Sequence, residues 1–134
     1  MLEGTCHCGA SSWRLDGPLD GKATACNCDV CRRYGALWFF GWQGEDLHVE
    51  GPTRAYTRRD IDDPGIDFTF CPTCGNLLAW LGRDPHEDGR RRGAVNLRLA
   101  PLAAVADLPM RHFDGHDSWE AVERPGRTVA DMWF

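Results

Sequence analysis

The chain has 134 residues, 43% of them hydrophobic, with six Trp, six Phe, two Tyr and a formal net charge of −5. That length and apolar content predict one packed domain over residues 1–134 and exclude a disordered chain. The acidic balance argues against nucleic-acid binding, which needs a basic surface to displace counterions, and no run of 18 apolar residues offers a membrane span.

Met1–Trp13 lacks a basic stretch followed by an apolar one, so a cytoplasmic, reducing setting is expected. Fifteen Gly and eight Pro favour short strands and turns over long helices. In chain order, Cys6-His7-Cys8-Gly9 comes first. In an extended segment residues i and i+2 share a face, so both sulfurs reach one ion while His7 points away. Ser11–Leu15 and Lys22–Cys26 read as strands of a hairpin over Asp16–Gly21. Cys26-x-Cys28-x-x-Cys31 follows as a compact loop, and Ala36–Trp42 as an aromatic strand. Trp38 and Phe40 alternate onto one face of that strand, either as core or as a pocket wall.

Leu47–Glu50 and Arg54–Thr57 read as a strand pair around Gly51-Pro52. Asp67–Phe70 and Leu77–Leu81 flank Cys71-Pro72-Thr73-Cys74-Gly75, a knuckle between two strands. Arg83–Gly93, with Arg90-Arg91-Arg92, reads as a solvated loop and Ala94–Leu99 as a strand. Pro101–Leu108 holds one helical turn, Met110–Phe113 a last strand, and Ser118–Val122 a short helix capped by Ser118 or Asp117. His112 and His116 read as surface or capping residues rather than a general base, and Asp131–Phe134 as a tail able to dock on the body or a second subunit. The fold expected is mostly β, built from short antiparallel sheets with at most short helical turns.

Seven cysteines is an odd number, so a complete disulfide framework is impossible, and their grouping as two, three and two points to metal. A redox C-x-x-C would need a strand–helix setting that is absent around Cys71 and Cys74. Their knuckle needs two more ligands. Taking them from Cys26, Cys28 and Cys31 would strand one sulfur there and leave Cys6 and Cys8 unfilled. Taking them from Cys6 and Cys8 gives one closed four-sulfur site and one open three-sulfur site. Zinc fits both, with a single iron as the other candidate. Closed sites are structural, whereas three protein ligands and an exchangeable position make the catalytic pattern.

The run Gly4-Thr5-Cys6-His7-Cys8-Gly9, then Cys26-Asn27-Cys28-Asp29-Val30-Cys31-Arg32-Arg33-Tyr34-Gly35-Ala36, then Phe70-Cys71-Pro72-Thr73-Cys74-Gly75 resembles the glutathione-dependent formaldehyde-activating enzyme family and the centromere protein V-like zinc domain. The resemblance extends from Gly4 to about Trp119. It implies a zinc-stapled β-tent with a structural zinc on Cys6, Cys8, Cys71 and Cys74 and a catalytic zinc on Cys26, Cys28 and Cys31. It also implies a carbon–sulfur lyase that joins glutathione to formaldehyde, with a small thiol as partner.

Zinc with three thiolates carries a formal charge of −1, which suits a soft fourth ligand such as a thiol better than a water to be ionised. Arg32 and Arg33 are candidates to offset that charge or to bind a substrate carboxylate, and Trp38 to wall the substrate site. Two rival readings are a noncatalytic zinc module that carries a thiol or binds a protein, and a redox or metal sensor in which Cys26, Cys28 and Cys31 oxidise.

Overall fold

The computed structural model describes residues 1–133; the expected role of Phe134 in the tail lies outside them. Eleven strands form two open sheets among the described residues. The smaller joins β1 (Leu2–Thr5), β2 (Ser12–Leu15) and β5 (Leu47–Glu50). The larger runs in the order β11 (Ala121–Val122), β10 (Met110–Phe113), β3 (Ala23–Cys26), β4 (Trp38–Trp42), β9 (Arg92–Asn96), β8 (Leu77–Gly82), β7 (Ile66–Phe70), β6 (Arg54–Thr57). Two short α-helices, α1 (Asp29–Tyr34) and α2 (Leu102–Val105), lie beside them. No helix is long and apolar enough to cross a membrane.

Alternation along the central strands explains why the large sheet has a core on each face. Leu37, Phe39 and Val95 pack with Trp13, Leu15 and Leu47 of the small sheet. Trp38, Ala94 and Leu77 point the other way, onto Val30, Cys28 and Cys31 of the α1 region and onto Phe68. Trp13 is 1% exposed, and its indole lies so close to Gly4 that any Cβ there would clash with the ring. The indole N–H donates to the Asn96 carbonyl at 3.2 Å. Asn96 itself is buried and hydrogen-bonded through both its side-chain nitrogen and its oxygen. Its amide donates to the Leu77 carbonyl at 3.0 Å and accepts from the backbone N–H groups of Leu37 and Arg98. Burying a side chain of Trp13's size stabilises by about 2–3 kcal/mol, and a buried amide is tolerable only when satisfied in this way.

Strand positions follow the sequence reading more closely than strand partners do. The β7–β8 hairpin forms as expected. The other two expected hairpins do not: β2 pairs with β1 and β5, β3 with β4 and β10, and β6 with β7. Turn residues end a strand without dictating which neighbour it meets. The antiparallel expectation also fails once, because β10 runs parallel to β3 with Phe113 beside Cys26. The second half of Ala94–Leu99 is a 3-10 turn, Leu97–Leu99, capped by the Asn96 side chain. Arg92 and Gly93, read as loop, belong to β9. Residues 118–122 form no helix; Ala121 and Val122 pair with Phe113 and His112. Inside the three-cysteine segment, α1 is a helix where a loop was expected.

Candidate functional site

The sulfurs of Cys6, Cys8, Cys71 and Cys74 lie within 4.8 Å of one another. Neither pair is held by strand pleat. Cys6 leaves β1 and enters a turn in which the Gly9 N–H donates to the Cys6 carbonyl at 2.9 Å, so the turn, not i/i+2 alternation, brings Cys8 back. Across the fold the Gly75 N–H donates to the Cys71 carbonyl at 2.9 Å, with Gly75 at φ +76°, the left-handed region that a residue with a Cβ avoids. Cys6 and Cys8 sulfurs are 3.6 Å apart, and those of Cys8 and Cys71 are 3.7 Å apart across 63 residues of sequence.

Backbone N–H groups aim at these sulfurs. Ser11 donates to Cys6 at 3.3 Å. The N–H of Cys74, joined by that of Thr73, brings the Cys71 thiol down to about 6. Donors aimed at sulfur favour the thiolate that a metal needs. Asn76 ties the two turns together, its Oδ1 accepting from the His7 N–H at 2.7 Å. His7 is exposed and contributes no ring nitrogen to the cluster. The role of Asn76 had no signal in the sequence, since it depends on which turn faces which.

The sulfurs of Cys26, Cys28 and Cys31 also lie within 4.8 Å of one another, and among the described residues no His, Asp, Glu or further Cys joins them. Cys26 ends β3, Cys28 occupies the residue before α1, and Cys31 sits on the buried side of that helix. The helix ends at Gly35 with φ +64°, whose N–H returns to the Cys31 carbonyl. Cys28 and Cys31 are 6% and 8% exposed, while Cys26 is half-buried. The Cys31 thiol hydrogen-bonds to Cys26, which brings Cys26 down to about 6 and pushes Cys31 up. Three sulfurs this close cannot all ionise unless a cation joins them, and the donor set is the soft one that suits zinc.

Other groups surround the trio. The Trp38 indole donates to the Cys31 sulfur at 3.4 Å and the Cys28 N–H to the Cys26 sulfur at 3.5 Å. Trp38 is 2% exposed, so its place is in the core behind the sulfurs. Gly115, after β10, packs so tightly that a Cβ on it would sit 2.7 Å from the Cys26 sulfur and 3.0 Å from Cys28 Cβ. Its N–H also donates toward Cys26. Asn27 holds that loop in place, donating to Asp114 at 3.0 Å and accepting from the His116 N–H at 3.0 Å. The segment containing His116, which no sequence pattern placed near Cys28, is thus clasped to it by the parallel β3–β10 pairing.

Arg32 and Arg33 converge on Asp29 rather than on the sulfurs. Arg32 reaches its carboxylate at 3.2 Å, and Arg33 reaches the same oxygen at 3.2 Å and the Asp29 carbonyl at 2.8 Å. The cation beside the trio is Arg58, which sequence reasoning missed. Its side chain is only 11% exposed, is gripped by Asp60 through bonds of 2.8 and 2.6 Å, and lies beside Cys28. Arg58 follows β6 and reaches the trio only because β6 closes the sheet edge over Phe68. A cavity of about 500 Å³ opens between α1 and this turn, lined by Asp29, Val30, Arg33, Tyr34, Tyr56, Arg59 and Asp60. Arg33 lines it; Arg32 and Trp38 do not.

Comparison with known proteins identifies the family. The family model for the glutathione-dependent formaldehyde-activating enzyme matches residues 1–105, which include all seven cysteines and stop short of the Gly115 loop. The resemblance expected to run on to about Trp119 therefore ends earlier in the matched region. A curated protein of Halomonas elongata bearing the family's name is 31% identical over 90 residues, 60% of this chain and 55% of that one. The chain thus spans about half the length of the curated relative it matches. A solved structure of a Rhodobacter sphaeroides protein shares the fold, with a TM-score of 0.60 at 23% identity, over 81% of this chain and 99% of that one. With the match covering most of its length and every cysteine cluster, the chain belongs to the glutathione-dependent formaldehyde-activating enzyme family.

Proposed function

We propose that the chain is a zinc-dependent carbon–sulfur lyase of this family, acting on the adduct of a small glutathione-type thiol and an aldehyde. Cys26, Cys28 and Cys31 are the residues that would hold the catalytic zinc, and Cys6, Cys8, Cys71 and Cys74 the structural one. The observation that carries the reading is the unequal sulfur count, four in one cluster and three in the other. When bound by three sulfurs, zinc supplies a fourth, exchangeable position at which a thiol is favoured in its deprotonated form.

The protein's own groups would do the rest. Trp38, Gly115 and the Cys28 N–H draw charge from the sulfurs, and Arg58 sets a cation beside Cys28. Together they lessen the charge excess of three thiolates and leave room for a fourth. In the addition the thiol sulfur bonds to the aldehyde carbon. The carbonyl π pair moves to oxygen, which takes up a proton, and the product is an S-hydroxyalkyl thioether; cleavage runs the same steps backwards. Holding thiol and aldehyde together makes the encounter effectively unimolecular. A cytoplasmic setting, where small thiols stay reduced, suits this chemistry.

Metal analysis of wild type and Cys28→Ser tests the reading. The expected result is about two zinc ions per chain falling to about one with the fold intact. Glutathione added to cobalt-substituted wild type should then change the sulfur-to-metal absorption of the trio's cobalt and leave Cys28→Ser unchanged. A Cys28→Ser protein that retains both ions overturns the assignment. A thiol without effect on the cobalt spectrum favours a noncatalytic module instead.

A further inference from the structure

The cavity between α1 and the Arg58–Asp60 turn takes no part in holding sulfur, yet its chemistry is specific. Two arginines line it in a chain that is acidic overall, Arg33 and Arg59, with Arg32 and Arg58 bound to the carboxylates of its wall. Two carboxylates oppose them, Asp29 held by Arg32 and Arg33, and Asp60 held by Arg58. Arg59 lines the same cavity and, among the described residues, has no ion pair and no hydrogen bond from its side chain.

Two tyrosines complete the lining. Tyr34, at the end of α1, and Tyr56, on β6, are 36% and 38% exposed. Neither hydroxyl has a hydrogen-bond partner among the described residues, and Tyr34 rests its ring on Phe68 at 5.4 Å. A free guanidinium fork and two free hydroxyl donors around one space match a planar, singly charged anion. The neighbouring carboxylates of Asp29 and Asp60 oppose a doubly charged one. The cavity's volume, about 500 Å³, is ample for the end of a small molecule.

Its place gives the ligand a second handle. Val30, in the wall, is the residue before Cys31, and Arg59 is the residue after Arg58, which lies beside Cys28. We infer that this cavity receives the carboxylate of an amino-acid or peptide thiol, with Arg59 as ion-pair partner and Tyr34 and Tyr56 as donors. The inference deepens the proposed function and rests on it for the sulfur end alone, since the thiol would sit at the trio while its carboxylate sits here.

Calorimetric titration of the zinc-loaded full chain separates the two ends, using glutathione, S-methylglutathione, 2-mercaptoethanol and inorganic phosphate as probes. Arg59→Gln, an exposed change that leaves the fold intact, should weaken glutathione and S-methylglutathione by about tenfold or more and leave 2-mercaptoethanol unchanged. Tyr56→Phe should weaken the same two probes by about three- to tenfold. Phosphate should bind more weakly than either peptide. Glutathione affinity that is the same in Arg59→Gln and wild type overturns the cavity assignment, as does phosphate binding that equals the peptides and depends on Arg59. If glutathione then still depends on Cys28, the sulfur end survives without the cavity. If S-methylglutathione equals glutathione, both depend on Arg59 and neither on Cys28, the cavity stands and the proposed thiol site falls.

Discussion

The two sulfur clusters differ in what they join. The four-sulfur cluster ties the N-terminal turn to the β7–β8 hairpin, with Cys8 and Cys71 meeting across 63 residues. The three-sulfur cluster spans six consecutive residues and sits on the core of the opposite sheet face, with Val30, Trp38 and Phe68. Cys6 and Cys71 belong instead to the core shared with the small sheet. A metal in the first site closes a long loop and becomes part of the folding energy. A metal in the second would close a segment that β3 and α1 already shape, so its loss is expected to leave the fold standing. On the proposed assignment, one cluster would be a staple and the other a device mounted on the stapled frame.

The sharpest way to break this comparison is to remove one sulfur from each cluster. Cys74→Ser should abolish cooperative unfolding seen by circular dichroism. A structural zinc contributes about 10–16 kcal/mol of apparent binding energy, comparable to or above a domain's whole stability of about 5–15 kcal/mol. Cys28→Ser should keep the transition, with stability lowered by no more than about 3 kcal/mol. Equal damage from both variants would erase the distinction.

Gly115→Ala comes next. Its Cβ would press on the Cys26 sulfur and Cys28 Cβ, so the loop must lift away from the trio. Competition with a chromogenic chelator should show the weaker-bound metal loosened by about 10- to 100-fold while the tighter one is unmoved. A smaller effect is expected from Trp38→Phe, which removes the donor to Cys31 and some buried volume. Denaturation should report a loss of about 1–3 kcal/mol, and chelator competition a loosening of about tenfold at the trio only.

The smallest effect is an expected persistence. Arg58 holds the Asp60 carboxyl down to about 2 from an ordinary 3.8. Because the folded value is depressed, the pair contributes fully above about 3.8 and is lost only as pH falls through about 2. Metal release between pH 6 and 4 should therefore precede titration of Asp60, followed by its carboxyl carbon resonance. An Asp60 resonance that moves together with metal release would break the separation between them.

Much of the site was legible because it is local. Cys71-Pro72-Thr73-Cys74-Gly75 announces its turn, and the three sulfurs of Cys26, Cys28 and Cys31 are close on any compact path of six residues. Strand positions such as Trp38–Trp42 and Leu77–Gly82 were legible from apolar runs between turn residues. Their partners were not. The Asp16–Gly21 turn looks like a hairpin, yet β2 and β3 part into different sheets because Trp13 and Leu15 bury against the small-sheet core while Ala23–Cys26 completes the large one. Arg58 and Gly115 escaped notice for the same reason, since no cysteine lies near them in sequence.

The sequence by itself determined the counting: seven thiols, grouped two, three and two, in an acidic and strand-rich chain. That count alone divides them into a closed set and an open one, since ligand chemistry is a property of residue type and short spacing. Only the tertiary structure decided what surrounds the open set. The parallel docking of β10 beside β3 brings Gly115 onto Cys26, and the β6 edge brings Arg58 to Cys28 and lines a cavity with Arg59 and two tyrosines. Sheet pairing joins residues through backbone hydrogen bonds that are the same for every sequence, so the choice of neighbour rests on burying both faces at once, a condition of the whole chain.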